Sequence, residues 1–164
     1  MSLSINISKI EDIDCLMKIY EAAVLYMRKC GNLNQWTNGY PSKDVIIKDI
    51  IAGVSYTIKD ENEQICGVFS MIPGLDPTYG YIEGKWIDDT KPYLTIHRIA
   101  SNGRVSGIAK TAFDYAVSLT GNVRVDTHKD NAKMQEVLIS NGFEYCGIIY
   151  LLDGNPRLAY QYVK

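Results

Sequence analysis

Long apolar runs and paired cysteines are both absent from this 164-residue sequence. A membrane-spanning helix needs about 18 or more consecutive apolar residues, so no spanning segment is expected. The N-terminal stretch MSLSINISKIEDID also lacks the apolar core of a signal peptide, which predicts a cytoplasmic protein. The four cysteines form no CxxC pair, so we expect no structural metal. Cys15, Cys66 and Cys146 have apolar neighbours and are predicted to be buried thiols.

A strong excess of charge of either sign is also absent. The sequence has 17 Lys and Arg against 19 Asp and Glu, and this balance lacks the basic excess typical of nucleic-acid-binding domains. No repeat or low-complexity linker divides the chain, and 46% of its residues are hydrophobic. We therefore predict one globular domain spanning 1–164, with neither nucleic acid nor a membrane among its partners.

Hydrophobic periodicity predicts the element order β-α-α-β-β-β-α-β-α-β-β. This order describes a mixed α/β domain that contains an antiparallel half, one βαβ crossover and a final hairpin. The early hairpin is predicted to pair strands at roughly 54–59 and 64–72. The segment 74–92 is polar, contains Gly, Pro and several aromatics, and is predicted to be a long loop or irregular hairpin.

A run of small residues marks the strand-to-helix turn in HRIASNGRVSGIAKTAFDYA, residues 97–116. The first turn of a helix has N–H groups without helical acceptors, and glycines let an anion approach them closely. A phosphate site and a plain turn therefore both remain open. Gly103 and Gly107 do not match the G-x-G-x-x-G dinucleotide pattern, and the spacing of Lys110 from Gly107 does not match a nucleotide P-loop.

Two motifs in the sequence resemble those of the GNAT family of N-acetyltransferases. The first, from Arg104 to Ala109, is similar to the family's R/Q-x-x-G-x-G/A pyrophosphate loop. The second, NAKMQEVLISNGFEYCG, is similar to its N-x-x-A-x-x-L-Y-x-x-x-G-F helix, with Asn131, Gly142 and Phe143 in place. The element order agrees as well, so the resemblance covers nearly the whole chain.

The resemblance implies a GNAT-like fold with a splayed central strand pair. It also implies direct transfer of an acetyl group from acetyl-CoA to an amine in a ternary complex, without a metal. The Ile99 N–H would polarise the thioester carbonyl, Asn131 would bond the pantetheine arm, and loop N–H groups would hold the pyrophosphate. The cofactor-binding residues implied are Ile99, Ser101, Arg104, Val105, Ser106, Gly107, Ile108, Ala109, Asn131 and Met134. A homodimer is left open.

His97 is the best candidate for the general base, because histidine exchanges protons near neutral pH. It lies two residues before Ile99, as a strand histidine does in the arylalkylamine branch of the family. The alternative is a hydrogen-bonded sheet histidine without a catalytic role, and a strand bulge would change the face it occupies. Arg98 is expected on the opposite face in a structural ion pair. His128 is a weaker candidate that could line the cleft or be exposed.

One departure from the family pattern concerns the leaving group. The family's tyrosine falls at Leu138, which cannot protonate a thiolate, so the thiolate leaves unprotonated or another group or water protonates it. This substitution keeps open an alternative function, an acyl-CoA-binding module with little or no turnover. A dinucleotide-dependent oxidoreductase is a third reading.

The acceptor amine is predicted to contact two loops. Trp36 and Tyr40 lie in the loop that borders the acceptor cleft in this family, and Glu83 and Trp86 lie before the central strand. Aromatic rings and carboxylates suit a cationic amine through cation–π and charge contacts. The alternative is that these aromatics fasten the loops to the core. The sequence does not choose between a small molecule and a peptide as the acceptor.

Overall fold

Eight strands and four helices make up the computed structural model, which describes residues 2–164. The strands are β1 Ser4–Ile7, β2 Ser55–Lys59, β3 Ile65–Pro73, β4 Glu83–Gly84, β5 Leu94–Ser101, β6 Asn122–Thr127, β7 Glu144–Tyr150 and β8 Pro156–Val163. The helices are α1 Ile13–Lys29, α2 Lys43–Ile51, α3 Ile108–Thr120 and α4 Ala132–Ser140. The predicted order is confirmed, and β4 is an additional short strand inside the segment predicted as a loop or irregular hairpin.

The strands form one mixed sheet in the order β1-β2-β3-β5-β6-β8-β7-β4. Only the central pair, β5 and β6, is parallel among the paired strands of residues 2–164. Its ladder contains two residue pairs, Leu94 with Val123 and Thr95 with Arg124. Beyond them β5 continues to Ser101 without pairing with β6. The two strands diverge into an open gap, which confirms the predicted splayed pair.

The two faces of the sheet have separate cores. Helices α3 and α4 cover one face, where Phe113, Leu138 and Phe143 are buried against the sheet. Helices α1 and α2 cover the other face, with Leu16 and other apolar residues of α1 and α2 packed on β3 and β5. The apolar stripe of each helix therefore matches one sheet face, as the periodicity predicts.

The segment 74–92 is fastened over the remaining part of the α1/α2 face. Arg124 of β6, 1% exposed, lies between two rings, with its guanidinium carbon 3.9 Å from the centre of Trp86 and 4.0 Å from that of Tyr93. Its Nη2 also pairs with Asp89 Oδ1 at 2.9 Å. Gln161 accepts a hydrogen bond from the N–H of Ile87 at 2.7 Å. These contacts hold the segment against the sheet.

The cysteine prediction is confirmed for Cys66 and Cys146, which are buried, and is wrong for Cys15, which is exposed. In α1 the buried positions are Leu16, Ile19 and Tyr20, so the helical period turns position 15 toward solvent. All four thiols are free. Among residues 2–164, no helix is long and apolar enough to cross a membrane. Nor do three or more His, Cys, Asp or Glu side chains in this range cluster as a metal site.

Candidate active site

A β-bulge lies in the middle of β5, at the edge of the gap. Across β3, His97 is paired with Ser70 and Ala100 with Val68, so Arg98 and Ile99 together lie opposite the single residue between them. Arg98 has a φ of +50°, the left-handed conformation. The bulge turns Arg98 to the same face as His97, and there it binds Asp49 of α2. The predicted ion pair is confirmed, and the predicted opposite orientation is wrong because of the extra residue.

The second half of β5 provides backbone groups at the gap. The sheet register gives Ile99 no partner on either neighbouring strand, whereas Ser101 is paired with Gly67 of β3. The Ser101 hydroxyl also accepts a hydrogen bond from the N–H of Gly103 at 3.0 Å. The strand therefore leads directly into the loop that begins α3.

The loop between β5 and α3 has a series of N–H groups with no internal acceptor. Gly103 and Gly107 have φ values of +79° and +84°, which favour glycine. Gly107 is the residue before α3 and has no side chain to cap it. Within residues 2–164, no hydrogen bond engages the N–H groups of Val105, Ser106, Gly107, Ile108 and Ala109. These donors and the positive end of the helix dipole form a binding place for an anion.

Positive side chains flank this loop. Arg104 is exposed, and its Nη1 donates to Gln64 Oε1 at 3.1 Å while its Nη2 lies 3.5 Å from Asp60 Oδ2. Arg104 and Lys18 both line a groove of about 470 Å³ between α1, β3 and the loop. The Arg104 side chain, which comes from the loop itself, is therefore held by the β2–β3 hairpin.

Asn131, just before α4, joins two elements across the gap. Its Oδ1 accepts from the Met134 N–H at 3.0 Å, which caps α4, and its Nδ2 donates to Gln35 Oε1 at 3.0 Å. Gln35 lies between α1 and α2, in a connection whose carbonyls at Asn32, Gln35 and Trp36 accept from Arg28. No sequence motif marked Gln35, because its role depends on this long-range contact.

His97 lies between two carboxylates at the mouth of the gap. Its Nε2 is 2.8 Å from Asp76 Oδ2, and its Nδ1 is 3.8 Å from Asp126 Oδ2. The Tyr79 hydroxyl donates to the same oxygen of Asp126 at 2.6 Å. The His97 side chain is 22% exposed, so solvent reaches the ring. Sequence reasoning missed both aspartates, since Asp126 is one of several polar residues that alternate with two valines in β6.

The charges in this cluster determine which nitrogen of His97 is free. Burial raises the pKa of Asp76, but hydrogen bonds from His97 and Thr78 outweigh it and lower the pKa to about 2. Burial, together with Asp126, raises the pKa of Tyr79, so its hydroxyl stays protonated and donates. Charged Asp76 accepts the Nε2 hydrogen of His97, which leaves the Nδ1 lone pair available as a base.

Asp76→Asn is expected to lower the free energy of unfolding at neutral pH by about 2 kcal/mol. The pKa of Asp76 is lower in the folded protein than its ordinary 3.8. Folding therefore favours its charged form. The stabilisation is fully present above about pH 4 and is lost as the pH falls toward the folded pKa. Urea unfolding of both proteins at neutral pH, at about pH 4 and at about pH 3 measures the difference, and about half should remain at the lowest value.

Asp153→Asn is the matched control, because Asp153 also accepts from the backbone of its own turn, at Asn155 N, but is exposed. A smaller loss is expected for this variant. Equal losses at the two positions would show that the turn, and not the contact with His97, lowers the pKa of Asp76.

The four predicted acceptor residues lie in different environments. Tyr40 is 39% exposed, and its hydroxyl accepts from Arg98 Nη1 at 3.1 Å. Trp36 packs edge-on against Tyr20, with ring centres 5.7 Å apart. Glu83 is exposed on β4 and accepts from the Tyr150 hydroxyl. Trp86 is 3% exposed beneath the segment 74–92, so its position does not support a contact with an acceptor.

The other two singled-out residues are both buried. His128 is 9% exposed, and its Nδ1 accepts from the Asp130 N–H at 3.0 Å. Of the two alternatives that the sequence left for His128, the exposed position is therefore wrong. Leu138 is fully buried in the core between α3, α4 and the sheet. Neither its chemistry nor its position provides a proton to a leaving group.

Comparison with solved structures places this architecture among known proteins. A GNAT family acetyltransferase from Streptococcus agalactiae is 35% identical, with a TM-score of 0.90, and the match covers 99% of this chain and 95% of that one. A GNAT family acetyltransferase from Listeria monocytogenes is 18% identical, with a TM-score of 0.71 and coverages of 97% and 93%. The NatC complex bound to Gag peptide and CoA contains a chain that is 15% identical, with a TM-score of 0.64 and coverages of 100% and 99%. No family model and no curated protein matches the sequence.

Proposed function

Because the chain belongs to the GNAT family of acetyltransferases, we propose that it transfers the acetyl group of acetyl-CoA directly to a primary amine. Both substrates would be held together, so no covalent enzyme intermediate is needed. The observation that carries this proposal is the series of free N–H groups at residues 105–109, located after the end of β5, whose second half borders the gap to β6. A diphosphate is the anion that such a series suits best.

The residues around the gap fit the cofactor. A Cβ added to Gly107 would meet no atom within 4 Å, so the space in front of the helix start is open to a phosphate group. Lys18 and Arg104 add positive charge beside it. Backbone groups of Ile99 and Ser101 would pair with the pantetheine arm. Asn131 would also bond this arm. Its side-chain amide would then contact both Gln35 and the cofactor.

The chain's own groups account for the remaining steps. When bound, acetyl-CoA supplies an activated thioester carbonyl. The Ile99 N–H polarises this carbonyl and stabilises the negative charge that develops on its oxygen. His97 Nδ1 removes the proton from the acceptor amine, and Asp126, 3.8 Å away, stabilises the ring once it is charged. Buried Leu138 contributes no proton, so the thiolate leaves unprotonated or is protonated by water.

The acceptor is a primary amine of a small molecule or a peptide. Asp76 and Asp126 provide negative charge near His97, which favours a group that is an ammonium ion in solution. Tyr40 and Trp36 provide aromatic rings on the side of the connection between α1 and α2. The NatC neighbour is bound to a peptide and CoA, which supports keeping a peptide among the acceptors to test.

To test the function, the protein is incubated with acetyl-CoA and each member of a panel of small amines and peptides that have free amino groups. Release of free thiol is followed for each acceptor. Acetylated product and thiol in equal amounts are expected for at least one acceptor. Tight CoA binding by calorimetry, without thiol release from any amine, would instead favour the acyl-CoA-binding module that Leu138 left open. Binding of NAD(H) that acetyl-CoA fails to displace would favour an oxidoreductase.

A further inference from the structure

The backbone conformation of Arg98 sets the relative positions of the His97 ring and the Ile99 N–H, the two groups proposed to act on the amine and on the thioester. Arg98 lies between His97, the base, and Ile99, whose N–H meets the carbonyl. Its φ of +50° is unfavourable for a residue with a Cβ, so the surrounding structure has to hold it. If Arg98 returned to an extended conformation, the bulge would be lost and the backbone at Ile99 would turn.

Two side chains from the helices on this face hold Arg98. Asp49 of α2, 8% exposed, accepts from Arg98 Nε at 2.7 Å and from Nη2 at 2.9 Å. Tyr20 of α1 donates its hydroxyl hydrogen to the Arg98 carbonyl at 2.7 Å. The side chain and the carbonyl of Arg98 are therefore both fixed, which leaves little freedom to the backbone between them.

The carboxylate of Asp49 is itself fixed from behind. Its Oδ2 also accepts from the Ser70 hydroxyl at 2.7 Å, and Ser70 is the residue of β3 paired with His97. The neighbouring strand, the helix and the bulge thus form one hydrogen-bonded unit. Tyr40, which lies on the acceptor side, joins this unit through Arg98 Nη1.

We propose that Asp49 and Tyr20 are positioning residues for acetyl transfer, which hold Arg98 in the left-handed conformation and so direct the Ile99 N–H into the gap. This inference rests on the proposed function. An ion pair that only stabilises the fold would matter equally for any residue at position 98. In this proposal the Asp49–Arg98 pair is needed because residue 98 has a Cβ and its positive φ must be held. Glycine adopts the same conformation without the Cβ penalty and would need the pair much less.

The test compares two double variants, Asp49→Asn with Arg98→Gly and Asp49→Asn with Arg98→Ala. Both lack the same ion pair and keep a group at position 49 that can bond Ser70. They differ in whether residue 98 accepts a positive φ. We expect kcat of the glycine double variant to exceed that of the alanine double variant by about 10-fold. KM for acetyl-CoA should change less than kcat, because the phosphate loop is unchanged and Ile99 is only one of the contacts proposed for the pantetheine arm.

A second readout does not depend on turnover. After correction for the effect that each residue type at position 98 has on the next amide, the chemical shift of the Ile99 N–H in 15N-labelled protein should lie close to the parent in the glycine double variant and move away from it in the alanine one. Equal shifts and equal kcat in the two double variants would overturn the proposal. Thiol release absent even from the parent would refute the proposed function, and the amide shifts would then still decide whether Asp49 holds the bulge.

Tyr20→Phe provides a milder variant in case the alanine double variant fails to fold. It removes only the hydroxyl that bonds the Arg98 carbonyl and keeps the ring that packs on Trp36. A lower kcat with a smaller change in KM for acetyl-CoA, together with a moved Ile99 amide, is expected. A parental kcat and an unmoved amide would count against the role of Tyr20.

Discussion

Gly107→Glu is expected to weaken CoA binding by at least about 100-fold, because a carboxylate would lie where the diphosphate binds. The substitution meets no steric obstacle within the protein, since a Cβ at Gly107 has no atom within 4 Å. The φ of +84° adds only a moderate backbone penalty. The variant should therefore fold, and isothermal titration with CoA measures the loss directly.

Gly154→Glu is the matched control for this variant. Gly154, in the turn between β7 and β8, has a φ of +87° and equally open space around its Cβ position. Gly154→Glu introduces the same charge at a similar backbone conformation but outside the proposed phosphate loop, so CoA affinity should stay at the parental value. Gly107→Ala adds the strain without the charge and should weaken binding less. An unchanged affinity in Gly107→Glu would refute the assignment of the phosphate loop.

His97→Ala is expected to lower kcat/KM for the amine at neutral pH by about 100-fold or more, a typical loss for a general base. Raising the pH should restore part of the rate, because a larger fraction of the amine is then already deprotonated in solution. A pH–rate profile of parent and variant, with the same amine, measures both effects. In the parent Asp76 stays charged throughout this range, since its pKa is about 2, so its titration does not contribute to the parental profile.

The same substitution at His128 distinguishes the two histidines of the chain. His128 is buried beside Asp130 at the end of β6, away from the pair of carboxylates that surrounds His97. We expect the pH profile of His128→Ala to keep the parental shape. A loss of the acidic limb in His128→Ala but not in His97→Ala would reassign the base, because protonation of the base lowers the rate at low pH.

Local patterns in the sequence were sufficient to predict the element order and the glycine-containing turn before α3. Strand alternation, helical stripes and the glycines at 103 and 107 each depend on neighbouring residues, so a single sequence contains them. The bulge could not be predicted in this way. A positive φ at an arginine depends on Asp49, which lies in another element and meets Arg98 only after α2 packs on the sheet.

The surroundings of His97 were hidden for a similar reason. Asp76 comes from the segment after β3 and Asp126 from β6, and only the sheet order brings both to one imidazole. For Trp86 the sequence left two readings, contact with the acceptor or fastening of the loop to the core. The structure agrees with the second, because the buried ring stacks on the guanidinium of Arg124. Long-range pairing, and not local propensity, decided each of these three cases.

Because β5 and β6 separate after two residue pairs, the sheet is divided into two half-sheets. One half contains β1, β2, β3 and β5, and the other contains β6, β8, β7 and β4. Backbone hydrogen bonding between them stops at Thr95, so further along α3 and side-chain contacts such as Gln35 with Asn131 and His97 with Asp126 couple the halves. A pantetheine arm lying between them would take the place of a strand. The two half-sheets would then be joined along their whole length only when the cofactor is bound.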